Sequence, residues 1–576
     1  MMKVTIAKTA GFCMGVRRAV EMAFDAANAT DAPICTYGPL IHNPQVLSLL
    51  REKGISVIDE IPESGDGIVI IRAHGIPPKE RQALIDAGFR VIDATCPRVI
   101  RVQSILSRHA RQGYSSIIVG DREHPEVIGL LGYAGENGFV IDSLESFSGL
   151  PDFDKAIVVA QTTQNSEFFE KVCHWVKRHH SNYKIFNTIC DSTEKRQGEI
   201  KALAAGVDAV IVVGGYNSGN TRRLAEIALE AEKTALHVET ANDVDIRDLS
   251  DARHIGITAG ASTPNWIIKQ VYQDLEARMA QHKSPVYRVS YSLMRFLVNS
   301  NVYLAVGAGC LALAATWLQG LPFHIVPVLV AAFYILAMHT INQMLERQSD
   351  RYNDPYRADF YQQHRYALSF LALFAGAGAL GASWIMGPLF FLMVACMSLL
   401  GILYNVDYLS EKIGRGHPGL KHIPGSKTIL TALAWGIVTA LIPALYIEGL
   451  TTPAGVVAFL WTCAMVLVRT AYFDIMDMQG SRIMGRGTIP ILLGEKRTLA
   501  LLKGILAAMM LALPLGAAAG IIPVPGVLLV LCPVLMYRFV RSYEQKMIFS
   551  TMQRGFVMET FFILAGIIAM LGALVF

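Results

Sequence analysis

Val91-Ile92-Asp93-Ala94-Thr95-Cys96-Pro97-Arg98 decides the reading of the first half of this chain. A short β-branched run ends in a thiol, Pro97 follows, and a basic helix-like segment with Arg98, Arg101, Gln103 and Arg108 begins. The outline returns twice. Val4-Thr5-Ile6-Ala7 leads to Cys13, Arg17 and Arg18, and Ile185-Phe186-Asn187-Thr188-Ile189 leads to Cys190, Lys195 and Arg196. At one interval downstream of each thiol lies a polar loop: Ile41-His42-Asn43-Pro44, Glu123-His124-Pro125-Glu126, and Asn217-Ser218-Gly219-Asn220. A second loop follows in each unit: Arg72-Ala73-His74-Gly75, Ala160-Gln161-Thr162-Thr163, and Thr258-Ala259-Gly260-Ala261-Ser262. A repeat of roughly 80–95 residues exceeds a solenoid unit and predicts three α/β lobes around a pseudo-threefold axis, with the thiols converging on it.

The chain of 576 residues is 52% apolar, but its two halves are unlike. Up to about residue 280, strands such as Ala209-Val210-Ile211-Val212-Val213 alternate with charged helices. From about 293 long apolar spans take over. A formal net charge of +4 makes no case for nucleic acid. The opening Met1-Met2-Lys3-Val4-Thr5-Ile6-Ala7 reads as a strand and lacks an export signal's apolar core, so the first half is expected in the cytoplasm, where thiols stay reduced. Of nine cysteines, Cys310, Cys396, Cys463 and Cys532 lie in apolar spans and read as packing residues, and Cys35 and Cys173 hold no repeat position.

A lone cysteine after a strand is far more often core filler than a ligand. Three at equivalent positions change the weighting. They would hold either zinc with an open fourth position or an iron–sulfur cluster with one iron lacking a protein ligand. Asn217-Ser218-Gly219-Asn220-Thr221 lies between a strand and a helix, where backbone N–H groups and short polar side chains cradle an anion; the plain alternative is an ordinary N-cap. The form recurs at Thr162-Thr163-Gln164-Asn165-Ser166 and at Gly260-Ala261-Ser262-Thr263-Pro264. His42, His74 and His124 sit on matched loops, suited to donate to diphosphate oxygens or a substrate hydroxyl. Glu126 lies two residues beyond His124, and a carboxyl beside a diphosphate and a cluster has its pKa raised, as suits a general acid.

These residues carry a family resemblance. Gly11-Phe12-Cys13-Met14-Gly15-Val16, Ile41-His42-Asn43-Pro44, Arg72-Ala73-His74-Gly75, Asp93-Ala94-Thr95-Cys96-Pro97, His124-Pro125-Glu126, Gln161-Thr162-Thr163 and Thr258-Ala259-Gly260-Ala261-Ser262 resemble the LytB-type 4-hydroxy-3-methylbut-2-enyl diphosphate reductases, over about residues 3–277. The resemblance implies a [4Fe–4S] cluster on Cys13, Cys96 and Cys190 and reductive loss of the substrate hydroxyl as water. It further implies isopentenyl and dimethylallyl diphosphates as products and a ferredoxin- or flavodoxin-type protein as the source of two electrons. By position it implies Glu126 as proton donor with His124 and Thr162, and His42, His74, Ser218, Gly219, Asn220 and Ser262 as substrate contacts. Gly219 stands where some members have serine, leaving only its backbone N–H. Zinc would supply a Lewis acid but no electrons, so a zinc hydrolase is the weaker reading.

Residues 281–292 are expected to be a linker between a first domain, 1–280, and a membrane domain, 293–576. About nine apolar runs follow, near 299–318, 321–341, 366–386, 387–406, 428–448, 452–472, 498–520, 521–540 and 555–576, each close to the ~20 residues that cross a bilayer. Loops after even-numbered runs carry Arg347 and Arg351, Lys412 and Arg415, Arg482 and Arg486, and Arg538 and Arg541. Loops after odd-numbered runs, such as Leu318-Gln319-Gly320, carry none. The positive-inside rule then predicts a multi-pass protein of the cytoplasmic membrane, basic loops and first domain inside, Phe576 outside.

Two loops on the inner side concentrate acids: Asn342-Gln343-Met344-Leu345-Glu346-Arg347-Gln348-Ser349-Asp350 and Asp474-Ile475-Met476-Asp477-Met478-Gln479-Gly480-Ser481. Carboxylates there either bridge Mg²⁺ to a diphosphate or merely flank helix ends. Together with the Leu420–Lys427 loop they resemble the aspartate-rich motifs of UbiA-type intramembrane prenyltransferases, over about 293–576. The resemblance implies Mg²⁺ on Asn342, Glu346, Asp350, Asp474 and Asp477 and transfer of a prenyl group to an unidentified acceptor. Gln343, Glu346 and Ser481 stand where that family has aspartate. The reading is a fusion of reductase and prenyltransferase. Its rivals are an inactive membrane anchor carrying a reductase, or a first half that is an iron–sulfur sensor.

Overall fold

The computed structural model describes residues 3–249, 252–281, 284–345, 353–405, 423–448, 452–544 and 551–575. It divides into two compact units, Met1–Glu276 and Ala277–Phe576.

The first unit holds twelve strands: β1 (Lys3–Ile6), β2 (Ile34–Tyr37), β3 (Ile55–Ile58), β4 (Ile68–Ile71), β5 (Arg90–Asp93), β6 (Ser115–Val119), β7 (Gly138–Ile141), β8 (Ala156–Ala160), β9 (Lys184–Phe186), β10 (Ala209–Val213), β11 (Thr234–Val238) and β12 (His254–Ala259). They form three four-stranded sheets, ordered β3-β2-β4-β5, β7-β6-β8-β9 and β11-β10-β12-β1, every pairing parallel. The central strands β6, β8 and β10 are buried along their whole length, as parallel strands with helices on both faces must be.

The three sheets share one topology. In two of them the strands come from one continuous stretch; in the third the amino-terminal β1 fills the fourth place, paired with β12 through Lys3↔His254 to Ile6↔Ile257. Each repeat thiol follows the fourth, edge strand of its sheet: Cys13 after β1, Cys96 after β5, Cys190 after β9. The first polar loops follow β2, β6 and β10, and the second follow β4, β8 and β12. All nine elements therefore sit at carboxyl ends of parallel strands, where α/β sheets bind ligands.

Among the described residues the second unit is all helical. Seven helices among the described residues are long and apolar enough to cross a membrane, from Ile325–Leu345 to the span within Thr551–Val575. Pro285–Asn299 and Val302–Leu318, bent by 69°, make an eighth if taken as one span. Pro388–Asn405 is an additional shorter apolar helix. The expected linker differs in one respect: from Pro285 it is helix, because Ser284 caps the Tyr287 N–H and Pro285 takes the first turn, where its missing N–H costs nothing. A π-helical turn, Ile437–Leu441, interrupts the span Ser426–Glu448.

Candidate active site

Each repeat thiol is the N-cap of a helix: Cys13 before Met14–Ala29, Cys96 before Pro97–Ala110 and Cys190 before Asp191–Ala205. The partial positive charge of a helix start favours a thiolate there. All three are free and half-buried. Burial pushes the Cys96 thiol up, the Arg98 and Val99 N–H groups pull it down, and Cys13 and Cys190 are near enough to raise it further. Burial likewise raises Cys190, opposed by Ser192 N–H, with Cys13 again adding to the rise. Gly15 makes room: a Cβ there would lie 2.4 Å from the Cys96 sulfur.

One backbone bond ties each thiol to the polar loop of the neighbouring strand. Cys96 N–H donates to Ala73 (2.9 Å), Cys190 N–H to Thr162 (2.9 Å) and Cys13 N–H to Ala261 (3.1 Å). Those acceptors adjoin or are His74, Thr162 and Ser262.

The loops themselves converge. The rings of His42 and His74 are 5.0 Å apart, His74 and His124 5.3 Å, and His42 and His124 6.0 Å. Ser262 donates to the His42 carbonyl (3.1 Å) and to Ser218 Oγ (3.2 Å), and Ser218 caps Thr221 N–H. A Cβ on Gly219 would stand 3.8 Å from the His124 ring. Among the described residues, buried Nδ1 of His74 and Nδ2 of Asn220 have no hydrogen-bond partner. Such atoms cost about 1–3 kcal/mol each when left unpaired, so they mark where a polar ligand belongs.

Glu126 is 2% exposed. Thr162 N–H donates to one carboxylate oxygen (2.6 Å) and Thr162 Oγ1–H to the other (2.8 Å). Both bonds favour the anion, yet burial outweighs them and carries the Glu126 pKa up to about 7. His124 accepts the Glu126 N–H at Nδ1 (3.1 Å), and burial, then His42, Arg222 and Arg72, bring its pKa down to about 4. Burial and the same two arginines depress His42; burial and the other two histidines depress His74, well below the ordinary value. The triad is thus neutral at pH 7.

One ring nitrogen from each histidine of the triad lies within 4.8 Å of the other two, a spacing that would also suit a metal ion. Arg72 and Arg222 decide against it: two cations beside neutral imidazoles favour an anion. Neither arginine is among the substrate contacts that the family resemblance implies. The signal was there, since Arg72 opens the quoted His74 loop and Arg222 follows Ser218-Gly219-Asn220-Thr221 directly.

Residues 4–276 match the family model described as LytB protein. The 4-hydroxy-3-methylbut-2-enyl diphosphate reductase of Geobacter sulfurreducens is 42% identical over 275 residues, 48% of this chain and 97% of the relative. The chain belongs to this reductase family. The reductase of Aquifex aeolicus is 44% identical over 280 residues, 47% of this chain and 95% of its own. A solved (E)-4-hydroxy-3-methyl-but-2-enyl diphosphate reductase is 42% identical, covers 48% of this chain and 99% of its own, and aligns with a TM-score of 0.39. Residues 302–565 match the UbiA prenyltransferase family, so the reductase part is joined to a second family's membrane domain.

The reductase family implies an iron–sulfur cluster, and the residues fit one: three free thiols on helix N-caps, mutually close, with a glycine clearing space at Cys96. In the membrane domain, Asp474 accepts a hydrogen bond from Thr428 Oγ1 (2.6 Å), and Asp477 ends the helix Pro453–Met476. Asn342 lies near the end of Ile325–Leu345. Glu346 and Asp350 fall outside the described residues. Gln343 Oε1 accepts from Asn301 Nδ2 (3.2 Å) and from Tyr361 OH (3.0 Å), and Arg357 donates to Asn301 Oδ1 (2.6 Å). A neutral amide is thus built into a polar network at the position where the resemblance led to the expectation of an acid. The two aspartates offer the hard oxygen donors Mg²⁺ takes; Gln343 adds no charge.

Proposed function

We propose that the first unit reduces 4-hydroxy-3-methylbut-2-enyl diphosphate to isopentenyl and dimethylallyl diphosphates. Two electrons and two protons enter, the C–O bond to the hydroxyl breaks, and the oxygen leaves as water. The observation that carries the reading is the buried Glu126, in the first turn of the helix Pro125–Ala134, held by Thr162, whose carbonyl accepts the Cys190 backbone N–H. A [4Fe–4S] cluster on Cys13, Cys96 and Cys190 would supply the electrons and a Lewis-acidic iron. The chain's own part is to hold the diphosphate and deliver protons. His42, His74, Ser218, Asn220, Ser262 and the Gly219 N–H surround the anion, with Arg72 and Arg222 behind them. Glu126, steadied by Thr162 and His124, gives its proton to the departing hydroxyl oxygen. A ferredoxin- or flavodoxin-type donor is the fitting electron source.

We infer for the membrane unit a Mg²⁺-dependent transfer of a prenyl group from its diphosphate, with Asn342, Glu346, Asp350, Asp474 and Asp477 around the metal. Membership of the UbiA family and the apolar spans support it. The basic loops support a cytoplasmic-membrane placement with both sites facing the cytoplasm and the carboxyl terminus outside. The deciding test for the first unit is dithionite-driven turnover by the full chain, present in the wild type and absent in Glu126→Gln.

A further inference from the structure

Arg196 is 3% exposed, yet among the described residues it forms no ion pair with a carboxylate. Its hydrogen bonds are to neutral oxygens: Nη2–H to the Gly11 carbonyl (2.6 Å), Nη1–H to the Ala259 carbonyl (3.0 Å) and Nε–H to Ser192 Oγ (3.4 Å). The nearby Glu199 is already engaged, accepting from Lys8 N–H, Thr9 N–H and Thr9 Oγ1–H. A buried guanidinium without a counter-ion is costly unless an anion completes it. The charges it faces besides Glu199 are the sulfurs of Cys13 and Cys190.

The three segments it joins are those that place the ligands. Gly11 lies two residues before Cys13, Ser192 two after Cys190, and Ala259 ends β12 just before Ala261, which accepts the Cys13 N–H. One planar fork spans loops that are distant in the chain, which a flexible ammonium could not do. We propose that Arg196 is a positioning residue that fixes Cys13 and Cys190 relative to each other and supplies the counter-charge to the anionic group they bind. The proposal rests on the reading that the thiols hold an iron–sulfur cluster. Three thiolates leave such a group net negative, and reduction adds one more negative charge, so a buried cation alongside stabilises the reduced form and raises the reduction potential.

The test uses the full chain, reconstituted without oxygen, as wild type, Arg196→Met and Arg196→Lys. Iron and sulfide content, loss of iron to a chelator, and the midpoint of a redox titration followed by electron paramagnetic resonance are measured. Arg196→Met is expected to have a more negative midpoint, and both variants to lose iron about tenfold faster, since two charge-assisted bonds are gone. Arg196→Lys keeps the charge and is expected near the wild-type midpoint. A wild-type midpoint in Arg196→Met overturns the proposal. Should that variant not fold, Arg196→Lys decides by its rate of iron loss, an unchanged rate counting against. Wild-type chain that binds no iron and sulfide would instead overturn the reductase reading beneath it.

Discussion

The Cys190 N–H donates to the Thr162 carbonyl at 2.9 Å, and Thr162 in turn clasps both oxygens of Glu126. A single residue thus links an expected metal ligand to the expected acid. Displacement at either end is felt at the other, so the proton donor's position is set by the same bond that sets the thiol's.

Glu126→Gln keeps the shape but removes the proton. Reduction should fall by about 10²–10⁴-fold, the usual worth of a positioned acid. Binding of the substrate, followed by calorimetry, should change little.

The pH profile should follow Glu126. Its protonated form acts, so turnover declines as pH rises through about 7. The Thr162 hydroxyl stabilises the anion, so Thr162→Val raises the Glu126 pKa and moves the alkaline limb to higher pH. Linkage runs in the same sense: a carboxyl raised from 4.5 to about 7 contributes stability below 4.5 that is lost as pH rises to 7. His124, lowered from 6.5 to about 4, acts oppositely, its contribution lost as pH falls through that range. Urea titrations of Glu126→Gln and His124→Phe at several pH values separate the two.

Gly15→Ala is expected to leave the fold intact and empty the site. Alanine is the better helix former by up to about 1 kcal/mol, but its Cβ would collide with the Cys96 sulfur at 2.4 Å. Circular dichroism should be unchanged while iron content drops severalfold.

Gly219→Ser should be accepted. The added Cβ meets the His124 ring at 3.8 Å, ordinary contact, and the hydroxyl offers the diphosphate one more donor. KM should fall by a few-fold, about 1 kcal/mol, with kcat retained.

Asp474→Ala removes the acceptor of the Thr428 hydroxyl and one expected Mg²⁺ ligand. Magnesium-dependent prenyl transfer by the full chain should drop more than about tenfold, with reduction by the same preparation untouched. Loss of both activities would point to misfolding.

Much of this was legible in the sequence. The thiols and polar loops recur at matched intervals because each lobe repeats one strand order, and glycine, proline and short polar residues punctuate its turns. Less accessible was what long-range pairing decides. Nothing local in Lys3–Ile6 says that it lies beside His254–Ala259. Arg196 looked like one more charge on a helix, because a lone residue's burial depends on loops remote in the chain. Gln343 was noted as a missing acid, but its partners Asn301 and Tyr361 come from other helices. Ser284-Pro285, within the expected linker, begins a helix, because a capping serine followed by proline suits a helix start as well as a turn.

The sheet completed by β1 has a consequence for biosynthesis. β1 cannot be seated until β12 exists, some 250 residues later, with only the helix Asn265–Gln281 between it and the helices of the second unit. Cys13 therefore waits through nearly all of the first unit's synthesis for the strand that seats β1, and the three thiols come together only after that wait.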